Sequence, residues 1–341
     1  MPELLGKNIT DKQEWEMLLD KFPHANFLQS WNWKLFQESL HKKTHAQAFF
    51  HHEECVGVCL FIKEEAKRGA YLTAAGGPLL QNWESREILT ELFSHIKELA
   101  TQEHCSFVRF RPQIVQTQQA LQLIEDLGCK KAPMHLTADL TLQLDLSLTE
   151  DELLSQMRKS TRYEIRKSTK DGVRVETSQD PEEIQAFYAH QLELAKKHRF
   201  VPFSYAFLHQ QFVIFAQENQ AMLFHAYKDN NLLASAFIIF YRNEAVYHYG
   251  ISTPENRLAP GAHAIQWAAI LEAKKRGIKF YNFWGIAPEE QKQHRFASVS
   301  LFKRGFGGQE VQYVQAHDLP VSFLYWTTYL FELLRKKLRR L

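Results

Sequence analysis

The chain has 341 residues, with 41 Lys plus Arg against 39 Asp plus Glu, a formal net charge of +2, and 45% hydrophobic and 23% charged residues. That balance excludes a fibrous or largely disordered chain, and the length asks for two domains at about 150 residues each.

In chain order, a helical start precedes an alternating run at residues 46–50 and an apolar run at 56–62, which predict two strands paired about a turn at 51–54. Residues 71–75, ended by Gly76-Gly77-Pro78, predict a third strand. Across residues 85–103, Ile88, Leu89, Leu92, Phe93, Ile96 and Leu99 recur at amphipathic-helix spacing. A strand at 107–110 closed by Pro112 and a helix at 117–127 ended by Gly128 follow. The second half repeats this rhythm with a strand at 140–146 and a helix opened by Thr149, with Glu152 three residues on as in a capping box, running to about residue 171. Beyond Gly172 come an extended stretch at 173–176, helices at 181–197 and 205–217, and strands at 221–227, 233–241 and 245–250. A long helix at 262–276 ends at Gly277, and 281–284 is a short strand. The expected fold class is α/β: a mixed sheet with flanking helices in residues 1–145, a second in 146–320, and a tail at 321–341. The order of elements is similar in the two halves, without a sequence repeat.

The cysteines, Cys55, Cys59, Cys105 and Cys129, are too few and scattered for a disulfide framework, and no partner pair completes a zinc site with Cys55 and Cys59. No stretch reaches the roughly 18 uncharged apolar residues of a membrane span, and the N-terminus lacks the apolar core of a secretory signal. A cytoplasmic location is the expectation. The near-zero charge conceals two concentrations: residues 158–170 carry +5 and residues 335–340 another +5, leaving −8 on the remainder of a chain whose total is +2.

Three constellations carry chemistry. Arg158, Arg162 and Arg166 recur every four residues with Lys159, Lys167 and Lys170 beside them, and Glu164 is the one acid among them. Such a run is either a solvated helix face or, because like charges four apart repel, a surface for a phosphate-bearing partner. The second is Tyr247-His248-Tyr249-Gly250 followed by Arg257 and Gly261-Ala262 at the start of an apolar helix, a place suited to an anion or a carbonyl. It resembles the acyl-CoA loop of the Gcn5-related N-acetyltransferases (GNAT), although three residues separate Arg257 from Gly261 where that loop has two. The third is Phe283-Trp284-Gly285 with Phe302-Lys303-Arg304-Gly305-Phe306-Gly307-Gly308. There Phe302 and Phe306 exclude water, the glycines allow close backbone approach, and Lys303 in an apolar frame donates to a developing oxyanion; the alternative is a tight turn with a surface lysine.

These segments occur in one chain and in one order with Phe27-Leu28-Gln29-Ser30-Trp31-Asn32-Trp33, the run from Met157 to Lys167, and Gln266-Trp267. Together they resemble the Fem aminoacyltransferases, enzymes that build peptidoglycan cross-bridges. The resemblance implies two tandem GNAT-like domains without the coiled-coil arm of some members, and a C-terminal segment returning to the first domain. It implies transfer of an amino acid from aminoacyl-tRNA, as donor substrate with no further cofactor, to the stem-peptide amine of a UDP-linked or lipid-linked muropeptide precursor. Lys303 is then the catalytic candidate, with Phe302, Phe306, Tyr249, Trp33 and Arg257 around substrate. Compact members have a phosphate-binding lysine four residues beyond the first-motif tryptophan. That position is Gln37 here, so phosphate duty falls to Lys34 or Arg199. Arg111 precedes Pro112 where members often have an acid, and no carboxylate base is assigned. The basic run from Arg158 to Lys170 is the candidate for tRNA or precursor phosphates. The tail, apolar and aromatic from Phe323 to Leu334 with a cationic end, either packs on the first domain or lies on the inner face of the plasma membrane. Two other classes stay open: an acyl-CoA-dependent N-acyltransferase, and a non-catalytic nucleic-acid or membrane-binding protein.

Overall fold

The computed structural model describes residues 4–198 and 201–339. The chain divides into two compact units, one built from residues 1–139 with 312–341 and the other from 140–311.

The first unit opens with β1 (Leu4–Asn8), α1 (Lys12–Leu19) and α2 (Trp31–Ser39), continues through β2 (Thr44–His51), β3 (Glu54–Ala66), β4 (Gly69–Gly76) and β5 (Leu79–Leu80), and adds α3 (Arg86–Gln102), β6 (Cys105–Pro112), α4 (Gln118–Asp126) and β7 (Lys130–Lys131). The second holds β8 (Leu140–Asp145), α5 (Glu150–Gln156), α6 (Lys159–Lys170), β9 (Arg174–Ser178), α7 (Ile184–His198), α8 (Tyr205–Ala216), β10 (Ala221–Lys228), β11 (Asn231–Tyr241), β12 (Glu244–Ser252), α9 (Gly261–Lys275), β13 (Phe280–Gly285), α10 (Ala297–Arg304) and β14 (Gln309–Gln312). The chain then returns to the first unit as β15 (His317–Pro320) and α11 (Tyr325–Arg339).

The first sheet runs β1-β2-β3-β4-β6-β15-β7, with β5 paired to β3. The β4–β6 pair is parallel; its register slips between Ala70 and Leu72 and then runs unbroken from Leu72 opposite Val108 to Gly76 opposite Pro112. Helix α3 covers this sheet because Leu89, Leu92, Phe93, Ile96 and Ala100 fall on one face. They pack with Phe61, Leu72, Val108 and Phe110 into one apolar core. Gln29, fully buried, holds β3 and β4 together where their register ends: its amide donates to the Ala75 carbonyl at 2.8 Å and accepts from the Leu60 amide at 2.7 Å. The first motif therefore works inside the sheet.

The second sheet runs β14-β8-β13-β12-β11-β10-β9, and β12–β13 is its parallel pair. Helix α9 buries Ile265, Ala269, Ile270 and Ala273 against Ala236, Ile238 and Phe283. The expected boundary at residue 145 moves, because the strand beginning at Leu140 pairs with β13 and so belongs wholly to the second sheet. The expected limit at residue 320 moves too, since β15 lies between β6 and β7 in the first sheet. The helix expected at 149–171 breaks in two. Thr149 and Glu152 form the capping box of α5 as anticipated, but Met157 is extended (ψ 152°) and buried, and α6 begins only after it. Among the described residues the longest helix, α3, has 17 residues, and no helix is long and apolar enough to cross a membrane.

Candidate functional site

The parallel strands of the second sheet separate. Pairing of β12 with β13 is confined to Glu244–Phe280, Ala245–Tyr281 and Val246–Asn282, although both strands continue. Two local features accompany the separation. On β12 the register with β11 slips at His248, a bulge that changes the side-chain alternation from Tyr247 to Tyr249. On β13 Trp284 takes a left-handed conformation (φ 62°), unfavourable for a bulky side chain and fixed here by Asn282. The Asn282 side-chain carbonyl accepts the Trp284 amide at 2.7 Å, while its amide donates to Glu244 at 2.8 Å.

Lys303, on the last turn of α10, reaches this opening. Its Nζ donates to the Gly285 carbonyl at 2.7 Å on one side and stands 5.7 Å from the Tyr247 ring centroid on the other. Burial lowers its pKa to about 7. Near neutrality the side chain is thus poised between a cation and a neutral amine, and among the described residues one of the ammonium's three donors is used, on the Gly285 carbonyl. The Tyr247 hydroxyl occupies the space that a Cβ on Gly250 would need, at 1.8 Å, so glycine at 250 is what allows this ring to pack. Burial pushes the Tyr247 phenol up to about 12 and raises that of Tyr249, so both remain neutral hydrogen-bonding hydroxyls.

The surrounding wall is aromatic. Phe306 is fully buried against Phe283 at 5.1 Å and Phe302 at 5.3 Å between ring centroids. His263, at the start of α9, sits 5.0 Å from Phe302, and burial lowers its pKa to about 4. His248 lies 4.0 Å from Tyr249 and 6.1 Å from Trp284, accepts from the Gln211 amide at 2.9 Å, and is driven by burial to a pKa of about 3. Neither imidazole carries charge at neutral pH. Phe203 stacks on Phe207 and meets Tyr249 at 5.5 Å. Gln211, Phe203 and His263 escaped the sequence reading because each belongs to an ordinary helix or loop stretch; the bulge at His248, where Gln211 meets His248 and Phe203 meets Tyr249, has no residue signature.

The basic segment adjoins this site. The Arg158 amide donates to the Gly305 carbonyl at 2.9 Å, and a Cβ on Gly305 would meet the Thr161 hydroxyl at 2.5 Å. Gly308, at φ +87°, passes 2.3 Å (measured from its would-be Cβ) from the Gln143 carbonyl. The glycines bring backbone against α5, α6 and β8, correcting the expectation that they admit a ligand. Arg158, at the N-cap of α6, and Lys159, Arg166 and Lys170 on the helix are exposed. Arg162 is turned inward, capping the end of α5 through the carbonyls of Leu154, Ser155 and Met157, and Lys167 pairs with Asp171 at 3.5 Å. The stripe is therefore narrower than its spacing suggests.

Arg257 is exposed on a 3-10 turn, and the Ala262 amide at the head of α9 donates to the Asn256 side chain at 3.0 Å. Trp33, Lys34 and Gln37 lie on α2 of the first unit, apart in the chain's division from Lys303 in the second. Trp33 and Gln37 are buried, and Lys34 pairs with Glu38 at 2.7 Å above the Trp31 ring. Arg111 is fully buried and donates to Thr137 and to the Ala138 carbonyl. Arg199 lies outside the described residues.

Comparison with known proteins places this geometry. The FemAB family matches residues 10–229 and 216–332. The chain belongs to the FemAB family. A curated relative, the aminoacyltransferase FemA of Staphylococcus epidermidis, is 31% identical over 90 residues, a stretch that covers 26% of this chain and 22% of FemA. A crystal structure of FemX superposes with a TM-score of 0.84 at 18% identity, over 96% of this chain and 100% of that one. A tandem GNAT protein from the clavulanic acid biosynthesis pathway gives 0.59 at 13% identity, over 94% and 99%. The FemAB chain thus has the fold expected of it, two GNAT-like units in tandem.

Proposed function

We propose that this protein transfers an amino acid from aminoacyl-tRNA to the stem-peptide amine of a peptidoglycan precursor, the reaction of cross-bridge formation. The observation that carries the reading is Lys303, a buried amine hydrogen-bonded to Gly285 at the opening between β12 and β13 of a FemAB chain.

In this reading the acceptor amine, with a reference pKa of about 10.4 if it is a lysine side chain, first loses a proton to become nucleophilic. Its nitrogen adds to the carbonyl carbon of the aminoacyl ester, and the carbonyl electron pair moves onto oxygen. Lys303 stabilises that oxyanion. Collapse re-forms the carbonyl, breaks the bond to the ribose oxygen and leaves an amide; the nitrogen sheds a second proton, which ends on the departing ribose oxygen as its hydroxyl, while the proton lost before attack goes to solvent. The ester is already activated, so the protein's contribution is alignment, water exclusion and charge stabilisation. Phe302 and Phe306 exclude water and Tyr249 orients substrate through its hydroxyl. Trp33, Lys34, Gln37, Arg199 and Arg257 are assigned to the precursor by family resemblance. The exposed cations Arg158, Lys159, Arg166 and Lys170 face phosphate, either of tRNA or of the precursor. The reaction is read as cytoplasmic, with the C-terminal tail touching the inner face of the plasma membrane.

The test is incubation with a charged-tRNA mixture and purified UDP-linked or lipid-linked precursor, read by product mass. An increment of one or more amino-acid residues, dependent on charged tRNA, is expected and names the donor. Acetyl transfer from acetyl-CoA with no tRNA-dependent increment overturns the reading.

A further inference from the structure

Helix α11 packs on the first unit by its polar side. Tyr325 and Thr328 are buried, and Glu332 turns inward to Arg109 at 2.7 Å, completing a cluster in which Arg109 also pairs with the buried Asp318 at 2.7 Å. Tyr325 packs its ring on Phe107. These residues, at i, i+3 and i+7, define the inward face. The apolar residues lie opposite. Trp326 is 39%, Leu330 59%, Leu334 63% and Leu338 83% exposed, and the preceding Phe323 and Leu324 are 83% and 60% exposed. A helix docked on a water-soluble domain ordinarily buries its apolar stripe. This one presents it outward.

Charge identifies the occupant. Glu332 is the only acid in α11, and it is committed to Arg109. The exposed cations of the helix, Lys337 near the apolar face and Arg335 on its flank, therefore have no free carboxylate beside them on α11. A third cation comes from outside the helix: Arg68, in the turn between β3 and β4, lies 3.7 Å over the ring of Phe331. Apolar and aromatic side chains flanked by unbalanced cations suit an anionic lipid surface, where the rings and leucines enter the interface and the cations meet headgroup phosphates. A second copy of the helix brings the same cations and no acid to answer them.

We infer that the outward face of α11, with Arg68, is a peripheral membrane-binding surface selective for anionic lipid. The inference deepens the tail contact proposed above and rests on that part of the reading alone, not on transfer chemistry. Vesicles free of any precursor separate the two.

The experiment is flotation of the full chain with phosphatidylglycerol-containing vesicles and with pure phosphatidylcholine vesicles, beside L330D/L334D and R335E/K337E, and sedimentation of each protein without lipid. All four substituted residues are exposed, so the variants are expected to keep the wild-type circular dichroism and melting temperature. Binding to the anionic vesicles, reduced at least tenfold by L330D/L334D and several-fold by R335E/K337E, is expected. Absence of binding at low salt overturns the inference. So does binding that survives either double substitution, or a lipid-free dimer that L330D/L334D dissociates, which would make this face a self-association surface.

Discussion

The backbone amide of Arg158 donates to the carbonyl of Gly305 at 2.9 Å. Through it the head of the basic helix and the glycine-rich end of the lysine helix form one piece. A polyanion held by the exposed cations of α6 is then tied mechanically to the segment that carries Lys303. Opposite consequences follow for two arginines one turn apart. Arg166→Glu, at an exposed position, is expected to weaken tRNA binding several-fold and flatten its salt dependence while leaving stability unchanged. Arg162→Glu removes the cap on α5 and is expected to cost about 1–2 kcal/mol in thermal or urea unfolding. Unchanged tRNA affinity and salt slope in Arg166→Glu would remove α6 from the tRNA interface.

The pH dependence of Lys303 has a definite sign. Burial lowers its pKa to about 7, so the side chain is charged below that pH and neutral above it. Stabilising an oxyanion favours the charged form. Arginine stays protonated throughout, with a pKa above about 12. The ratio of the wild-type transfer rate to that of Lys303→Arg is therefore expected to fall as pH rises from about 6 to about 8. A ratio that rises across this range would assign Lys303 to proton removal instead.

Gly308 combines a left-handed backbone with a neighbour that cannot yield. A Cβ there would meet the Gln143 carbonyl at 2.3 Å, on a φ of +87°. Gly308→Ala is expected to destabilise the protein by about 2 kcal/mol or more, through strain and displacement of β8. Chemical denaturation measures it, and a loss under about 0.5 kcal/mol, the range of neutral surface changes, would contradict the packing role.

Much of this was legible in residue patterns. Alternation and helical spacing located most strands and helices, and Thr149 with Glu152 marked the start of α5. The break after Gln156 was not legible, because the pull on Met157 comes from core contacts and the support for Arg158 comes from Gly305, far along the chain. The strands β1, β14 and β15 escaped for a similar reason: each is four or five residues long and defined by its partner. At the site, Lys303 and its phenylalanines stood out as a motif. The carbonyl that holds Lys303 belongs to backbone and has no signature in sequence, and the bulge at His248 is a property of register.

Gln29 shows how a motif residue takes a structural part. Its amide completes hydrogen bonds for Leu60 and Ala75 between β3 and β4. Gln29→Leu leaves a buried amide and a buried carbonyl unpaired and is expected to lower stability by about 2–6 kcal/mol, from about 1–3 per group. Urea unfolding reads the loss directly; an unchanged midpoint would show that water or a shifted backbone replaces the amide.

The most direct measurement is the single-turnover rate of transfer from aminoacyl-tRNA to precursor by the wild-type protein and by Lys303→Met, with both substrates shown to bind each protein. Loss of an oxyanion donor predicts a rate about 10²- to 10³-fold lower at unchanged substrate affinity. A Lys303→Met protein that binds both substrates and transfers at the full rate would contradict the account.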